Sequence, residues 1–186
     1  MNITRTGISD VLLITPEVYA DDRGFFMETF NRQDWTTQMG SAPVFVQDNH
    51  SHSRRGVVRG LHYQIWQPQG KLVQVIQGEI FDVAVDLRQR SATFGKYIGV
   101  RLGGANKQSL YVPRGFAHGF MVLSETADVI YKVTDHRVTD YECCIRWDDP
   151  TLAIQWPLAG ITPILSSKDQ QGLTFVKAPV WNGPVV

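Results

Sequence analysis

Apolar and polar residues alternate with a period of two in one short segment after another. "DVLLITPEVY", "APVFVQDN", "KLVQVIQGEIFDVAVDLR", "YIGVRLG", "SLYVPRGFAHGFMVLS", "DVIYKVTD" and "CCIRWDD" are rich in β-branched and aromatic side chains, and Gly, Pro, Asn or Asp clusters separate them. Successive side chains of a strand point to opposite faces, so this pattern predicts many short strands. Gly78 in "VIQGEIF", and Gly103, Gly104 and Asn106 in "LGGANKQ", read as hairpin turns. Helical periodicity is weak: "NRQDWTTQM", with Asn31 or Asp34 as N-cap, and a short turn at "SSKDQQG". Strands at such close spacing predict a sandwich or barrel rather than a β-α-β sheet. With no low-complexity linker and no strong internal repeat, residues 1–186 are expected to form one all-β domain.

One stretch, "VVRGLHYQIWQPQGKLVQV" at 57–75, carries three groups that strands rarely bury without a reason: Arg59, His62 and Lys71. A histidine in a strand is more often a packed core residue than a catalyst. Two cations close by in such apolar runs shift the reading toward an anionic target. Arg59 and His62 have opposite parity and would face opposite sides of a regular strand. For both to serve one pocket, Gly60 must mark a bulge, or one group must reach a neighbouring subunit's site.

In "YVPRGFAHGF", Pro113 and Gly115 make a turn and His118 follows on the next strand. P-x-G-x-x-H is the second motif of the cupin double-stranded β-helix, where the histidine commonly binds a metal. The first motif's place reads "GLHYQIWQPQGKL", with one histidine and no second ligand beside it. Two histidines without further support make a poor metal site. His50 and His52 in "HSH" share a strand face, yet no third ligand is apparent. The expected fold is therefore a cupin-type jelly-roll sandwich with a few short helices, and no metal.

Bulk properties narrow the partners. The 186 residues carry 18 Lys plus Arg against 18 Asp plus Glu, so nucleic acid is not expected as a partner and any anion must be held by a local cluster. The adjacent Cys143 and Cys144 cannot form a disulfide framework, and two thiols make no zinc site; that usage suits a reducing cytoplasm. Neither a signal peptide nor a membrane-spanning run is expected from the polar-interrupted N-terminus and the short apolar stretches.

Further candidates are Tyr131 in "IYKVTD", Lys168 and Asp169 in "LSSKDQQG", and Arg23, Phe25, Phe26 and Glu28 in "DDRGFFMETF". The last group reads as an ordinary surface hairpin, though its charge and aromatics would suit an aromatic ring attached to phosphates. Taken in order, "DDRGFFMETF", "QDNHSHS", "GVVRGLHYQ", "QGKLVQVIQGEIFDVAVDLR", "SATFGK", "YVPRGFAHGF", "YKVTD", "WDDP" and "LSSKD" run through almost the whole chain. Together they resemble the dTDP-4-dehydrorhamnose 3,5-epimerase family of deoxysugar biosynthesis.

That resemblance implies a cupin-type jelly roll, a homodimer with exchanged N-terminal strands, no metal or organic cofactor, and a dTDP-linked 4-keto-6-deoxyhexose as substrate. It implies His62 as general base paired with Asp169, Lys71 as the enolate's partner, and Tyr131 as the acid on the opposite face. By the same resemblance Arg23, Arg59 and Lys168 hold the pyrophosphate, Phe26, Glu28, Gln47 and Asn49 meet the nucleotide, and His118 and Glu142 line the sugar pocket. The chemistry fits these residue types: a hydrogen α to a ketone leaves only if a base, an oxyanion partner and an acid across the ring cooperate. One departure stands out. After "YKVTD" the family usually carries two tyrosines and a Pro-containing turn, whereas this chain reads His136, Arg137, Val138, Thr139. That keeps open a single-centre epimerase or a ketoisomerase on a related sugar. A non-catalytic sugar-nucleotide-binding cupin is disfavoured by intact His62, Lys71, Tyr131 and Asp169.

Overall fold

Alternating burial builds two antiparallel sheets over residues 1–183, which the computed structural model describes. The first sheet holds β1 (Asn2–Arg5), β2 (Leu12–Thr15), β5 (Gln47–Arg54), β7 (Lys71–Gln77), β10 (Ser109–Val112) and β12 (Thr126–Val133), in the order β1-β2-β10-β7-β12-β5. The second holds β6 (Val58–Gln64), β8 (Glu79–Asp86), β9 (Tyr97–Gly103), β11 (Phe116–Val122) and β13 (Glu142–Cys144), in the order β13-β6-β11-β8-β9. A separate hairpin pairs β3 (Val18–Asp21) with β4 (Gly24–Met27).

From β6 to β13 the chain passes back and forth between the sheets, which makes the jelly roll the sequence predicts. The same crossing corrects both hairpin readings. β7 and β8 lie in different sheets, as do β9 and β10, so Gly78 and the "GGAN" turn are corners between sheets. Gly78 sits at φ +81°, and a Cβ there would run into the Thr126 carbonyl. Turn residues report a local change of direction, and the corner at Gly78 uses the same left-handed backbone that a hairpin turn would.

Between the sheets, Val73, Val75, Leu110 and Val129 pack against Ile80, Ala84, Leu102 and Phe120. Each large side chain buried this way contributes about 1.5–3 kcal/mol. The outer face of the second sheet is covered by the C-terminal segment, where Ile145, Leu152, Ile154 and Ala178 meet Leu61, Val83, Val85 and Ala117. All seven residues of β11 are consequently buried. α1 (Arg32–Met39) starts at Asn31, whose Oδ1 accepts from the Gln33 and Asp34 amides; Asp34 is thus in the first turn and is not the cap. Its Trp35 packs on Leu12, Ile14 and Leu72 at the outer face of the first sheet. α2 (Ser167–Gln170) is the short turn expected at "SSKDQQG". No helix among the described residues is long and apolar enough to cross a membrane.

Candidate active site

The parity conflict between Arg59 and His62 resolves within one chain. His62 stands opposite His118 and Arg59 opposite Phe120, so β6 spends three residue steps where β11 spends two. The extra residue is a bulge at Gly60, with φ +113°. Gly119 lies across from it, and a Cβ on Gly60 would stand 2.6 Å from the Gly119 Cα and from the His118 carbonyl oxygen. The bulge turns Arg59 into the same cleft as His62. That cleft, of about 250 Å³, is lined from both sheets: Arg59, His62 and His118 on the second, Lys71 and Tyr131 on the first, with Glu142 and Lys168 at its rim.

His62 is held from behind. Its Nε2 lies 2.5 Å from Asp169 Oδ1, and Asp169 is buried in α2. Ser166 donates its hydroxyl to Asp169 Oδ2 at 2.7 Å while its oxygen caps the Asp169 amide at 3.1 Å, so the N-cap of α2 also orients the carboxylate. Burial works to raise the Asp169 pKa, but hydrogen bonds from His62 and Ser166 outweigh it and hold the group below the ordinary range, as a carboxylate. An anion beside one ring nitrogen of His62 fixes the tautomer and steadies an imidazolium.

Lys71 opens β7, is buried, and donates to the His62 carbonyl at 3.3 Å. Burial pulls its pKa down to about 8, against the attraction of Asp82 and Glu142. Tyr131, half-buried on β12, is made a weaker acid by burial; Arg59 and Arg137 pull the other way. His118 Nε2 meets Asp82 Oδ1 at 2.8 Å, both groups buried, and Asp82 Oδ2 has no hydrogen-bond partner. Glu142 is gripped by Arg137 at 2.7 and 2.9 Å and by Lys168 at 2.5 Å. These bonds, the Arg137 ones foremost, hold its pKa at about 2 despite partial burial. Four cations thus face one surface carboxylate, a balance that favours an anionic ligand.

A recess adjoining the cleft shares His62, Lys71, Tyr131 and Glu142, and Gln47 and Asn49 wall it. Arg23, Phe26 and Glu28 are not brought to either space within the single chain. They lie on or beside the β3–β4 hairpin, where Arg23 is 90% exposed and paired with Asp21, Phe26 is 67% exposed, and Glu28 accepts from Asn31. Two residues that the sequence did not single out, and one cysteine it gave no place in the site, support it. Asp82 and Ser166 have the roles above, and Cys144 places its sulfur 3.8 Å from Asp169 Oδ1. The signal for Asp82 was a carboxylate inside the continuous apolar run "EIFDVAVD".

His50 and His52 do share an outer face, and Asp128 on β12, which was not anticipated, hydrogen-bonds both at 2.9 and 3.1 Å. Among the described residues, His62, Cys144 and Asp169 are the three potential metal donors that lie within 4.8 Å of one another. Their arrangement does not suit a metal. Donors around a tetrahedral zinc at about 2.0–2.3 Å stand more than ~3 Å apart, whereas Nε2 and Oδ1 sit at 2.5 Å. Burial, with Asp169 adjacent, also pushes the Cys144 thiol up to about 12, so it stays protonated.

A family model described as dTDP-4-dehydrorhamnose 3,5-epimerase matches residues 5–177. The chain is 54% identical over 178 residues to the dTDP-4-dehydrorhamnose 3,5-epimerase of Pseudomonas aeruginosa, across 96% of this chain and 98% of that one. It is 37% identical over 179 residues to the dTDP-4-dehydrorhamnose 3-epimerase of Streptomyces niveus, across 96% and 86%. The crystal structure of the Legionella pneumophila dTDP-6-deoxy-D-glucose-3,5-epimerase in complex with dTDP-4-keto-L-rhamnose matches with a TM-score of 0.95 at 46% identity, covering 99% of both chains.

Proposed function

The chain belongs to the dTDP-4-dehydrorhamnose 3,5-epimerase family, and from that membership we propose that it inverts C3 and C5 of dTDP-4-dehydro-6-deoxy-D-glucose to give dTDP-4-dehydro-L-rhamnose. The observation that carries the reading is the His62–Asp169 pair, 2.5 Å apart, facing a cleft whose other wall presents Tyr131 and Lys71. His62 as free imidazole takes the hydrogen α to the C4 ketone, and Asp169 steadies the imidazolium. Lys71 sets its ammonium where the enolate oxygen gains charge. Tyr131 delivers a proton to the opposite face, and the ketone re-forms. Each of these groups contributes on the order of a hundredfold in rate.

The remaining roles are those that the family resemblance implies. Arg59 and Lys168 hold the diphosphate, Gln47 and Asn49 meet the nucleotide, and His118 and Glu142 border the sugar. We infer a homodimer in which the β3–β4 hairpin of a second copy brings Arg23, Phe26 and Glu28 to this cleft. Support comes from three exposed aromatics on the hairpin, Tyr19, Phe25 and Phe26, and from its lack of pairing with either main sheet. Base, acid and oxyanion partner all come from the chain's own side chains, so the reaction as written calls on no cofactor. A nucleotide diphosphate does not cross a bilayer unaided, and both cysteines are free, which supports work in the cytoplasm.

The test is incubation with dTDP-4-keto-6-deoxyglucose in deuterated water, with the label located by NMR. Deuterium at both C3 and C5 is expected, and His62→Ala is expected to abolish it while nucleotide binding persists. No label at either carbon would remove the enzymatic reading. Label at one carbon alone would support a single-centre epimerase, a second reading favoured by the 3-epimerase relative from Streptomyces niveus and by Arg137, which lines the cleft where the sequence departs from the family pattern.

A further inference from the structure

Arg137 stands where the sequence leaves its family's pattern, and the structure fixes it over the site. The Val138 amide donates to Gln64 Oε1 at 2.8 Å, Gln64 Nε2 donates to the His136 carbonyl at 3.3 Å, and the Arg137 amide reaches Gln47 Oε1 at 3.4 Å. Gln69 Nε2 holds the Asp135 carbonyl at 2.9 Å. The guanidinium is then clamped in a two-pronged pair with Glu142 and lines both the cleft and its recess, in each case together with Tyr131. Such a planar fork gives up little further freedom, and it stays charged at any working pH.

We propose that Arg137 is a positioning residue for the acid of this reaction, its fixed positive charge facing the Tyr131 phenol and balancing the phenolate left when the proton departs. The inference rests on the epimerase reading above. In the step concerned, the phenol O–H bond breaks as the new C–H bond forms. The electron pair for that bond comes from the enolate C=C, the C4 ketone re-forms, and the phenolate is later reset by a solvent proton.

A buried phenolate is costly, and what surrounds Tyr131 decides the cost. β5 offers neutral Asn49 and Ser51, β11 offers His118 and β13 offers Glu142. β6 contributes Arg59 and His62, β7 contributes Lys71, and α2 contributes Lys168. His62 and Lys71 are committed to the base and the enolate, and Lys168, which like Arg137 is held on Glu142, lines the cleft but not the recess where Arg137 and Tyr131 meet again. Burial weakens Tyr131 as an acid, and the cations that pull its pKa back are Arg59 and Arg137, with Glu142 opposing them. Of those two, Arg59 bonds Ser53 and the His52 carbonyl and lines the cleft alone, whereas Arg137 stands with Tyr131 in both the cleft and the recess.

Two readouts test this, and a merely structural role would move neither. Without substrate, the Tyr131 phenolate is titrated by ultraviolet absorbance, isolated by subtracting a Tyr131→Phe protein. Arg137→Gln should raise its midpoint by about one pH unit, and Arg137→Lys should restore most of that. With substrate in deuterated water, an enolate that waits for a weaker acid is re-protonated by His62 from its own side. Arg137→Gln should therefore raise the ratio of exchange to inversion about tenfold or more. An unchanged titration together with an unchanged ratio would overturn the proposal. Absence of exchange in the unaltered protein would instead defeat the epimerase reading, while the substrate-free titration would still judge whether Arg137 governs Tyr131.

Discussion

Replacing Lys71 with methionine should make the protein more stable and nearly inactive. The side chain is buried, and its pKa falls from the ordinary 10.5 to about 8, because burial penalises the ammonium more than Asp82 and Glu142 favour it. A gap of roughly two and a half pH units corresponds to about 3 kcal/mol of destabilisation whenever the group is charged in both states. Methionine is similar in length and carries no charge, so it removes that penalty. It also forfeits the hydrogen bond to the His62 carbonyl, worth about 1 kcal/mol. The expected net gain at pH 7 is about 2 kcal/mol. Between pH 8 and pH 10.5 the unfolded chain holds a proton at Lys71 that the folded chain has released, so unaltered stability rises with pH across that window. The advantage of Lys71→Met should therefore shrink from pH 8, vanish near pH 10, where the falling charge penalty equals the lost hydrogen bond, and turn into a small deficit above it, as read by urea denaturation at a series of pH values. Turnover should fall on the order of a hundredfold or more, and the unaltered enzyme should lose activity as pH climbs through about 8. A Lys71→Met protein less stable than its parent at pH 7, or an advantage independent of pH, would refute the reasoning.

Two further outcomes follow from the geometry. Gly60→Ala should destabilise by about 3 kcal/mol or more and remove activity, since its Cβ would meet the Gly119 Cα and the His118 carbonyl oxygen at 2.6 Å; a normal denaturation midpoint would remove the bulge argument. Mixed and re-dimerised Arg23→Ala and His62→Ala proteins, each inactive alone, should regain measurable turnover, because a hybrid pair would contain one site with both residues intact. No recovery in a verified hybrid would place Arg23 and His62 in the same chain's site.

What could be read from the sequence divides along a physical line. Strands were legible because burial on one face imposes a period of two, as in "DVIYKVTD" at 128–135, which overlaps β12 (Thr126–Val133) with an offset of two residues. The helix start was legible to within Asn31 or Asp34 because capping is a local hydrogen-bond problem, and the structure selects Asn31. Sheet membership was not, since Gly78 bends the chain equally well into a hairpin or across to the other sheet. The Gly60 bulge could be posed only as one of two answers. Choosing it needed Gly119, which is remote in sequence and leaves the room that the bulge occupies. Asp82 escaped because its partner His118 meets it only through the pairing of β8 with β11, whereas Ser166 was within reach as a local cap three residues before Asp169 and was passed over. Arg137 was visible only as a departure, and its ion pair with Glu142 is what gives the departure a physical content.

The stereochemistry of the proposed reaction has its root in the layer structure. Inversion requires that a proton leave one face of a ring and another arrive on the opposite face. A single sheet presents its side chains to one side of a bound sugar, whereas a two-layer sandwich with a cleft between its sheets can present a base and an acid from opposite sides. His62 comes from the second sheet and Tyr131 from the first, and both line the same cleft. Lys71 belongs with Tyr131 on the first sheet, yet its ammonium reaches across to the His62 backbone, which sets it near the edge of the ring rather than on either face. In a cupin with a metal, the histidine of the second motif would help to hold the Lewis acid that stabilises an enolate. Here that histidine, His118, is bound to the buried Asp82, whose charge in turn helps to keep Lys71 protonated. The positive charge an enolate needs is thus supplied by a lysine that burial weakens and two carboxylates sustain, and the protein accepts the cost in stability that Lys71→Met should relieve.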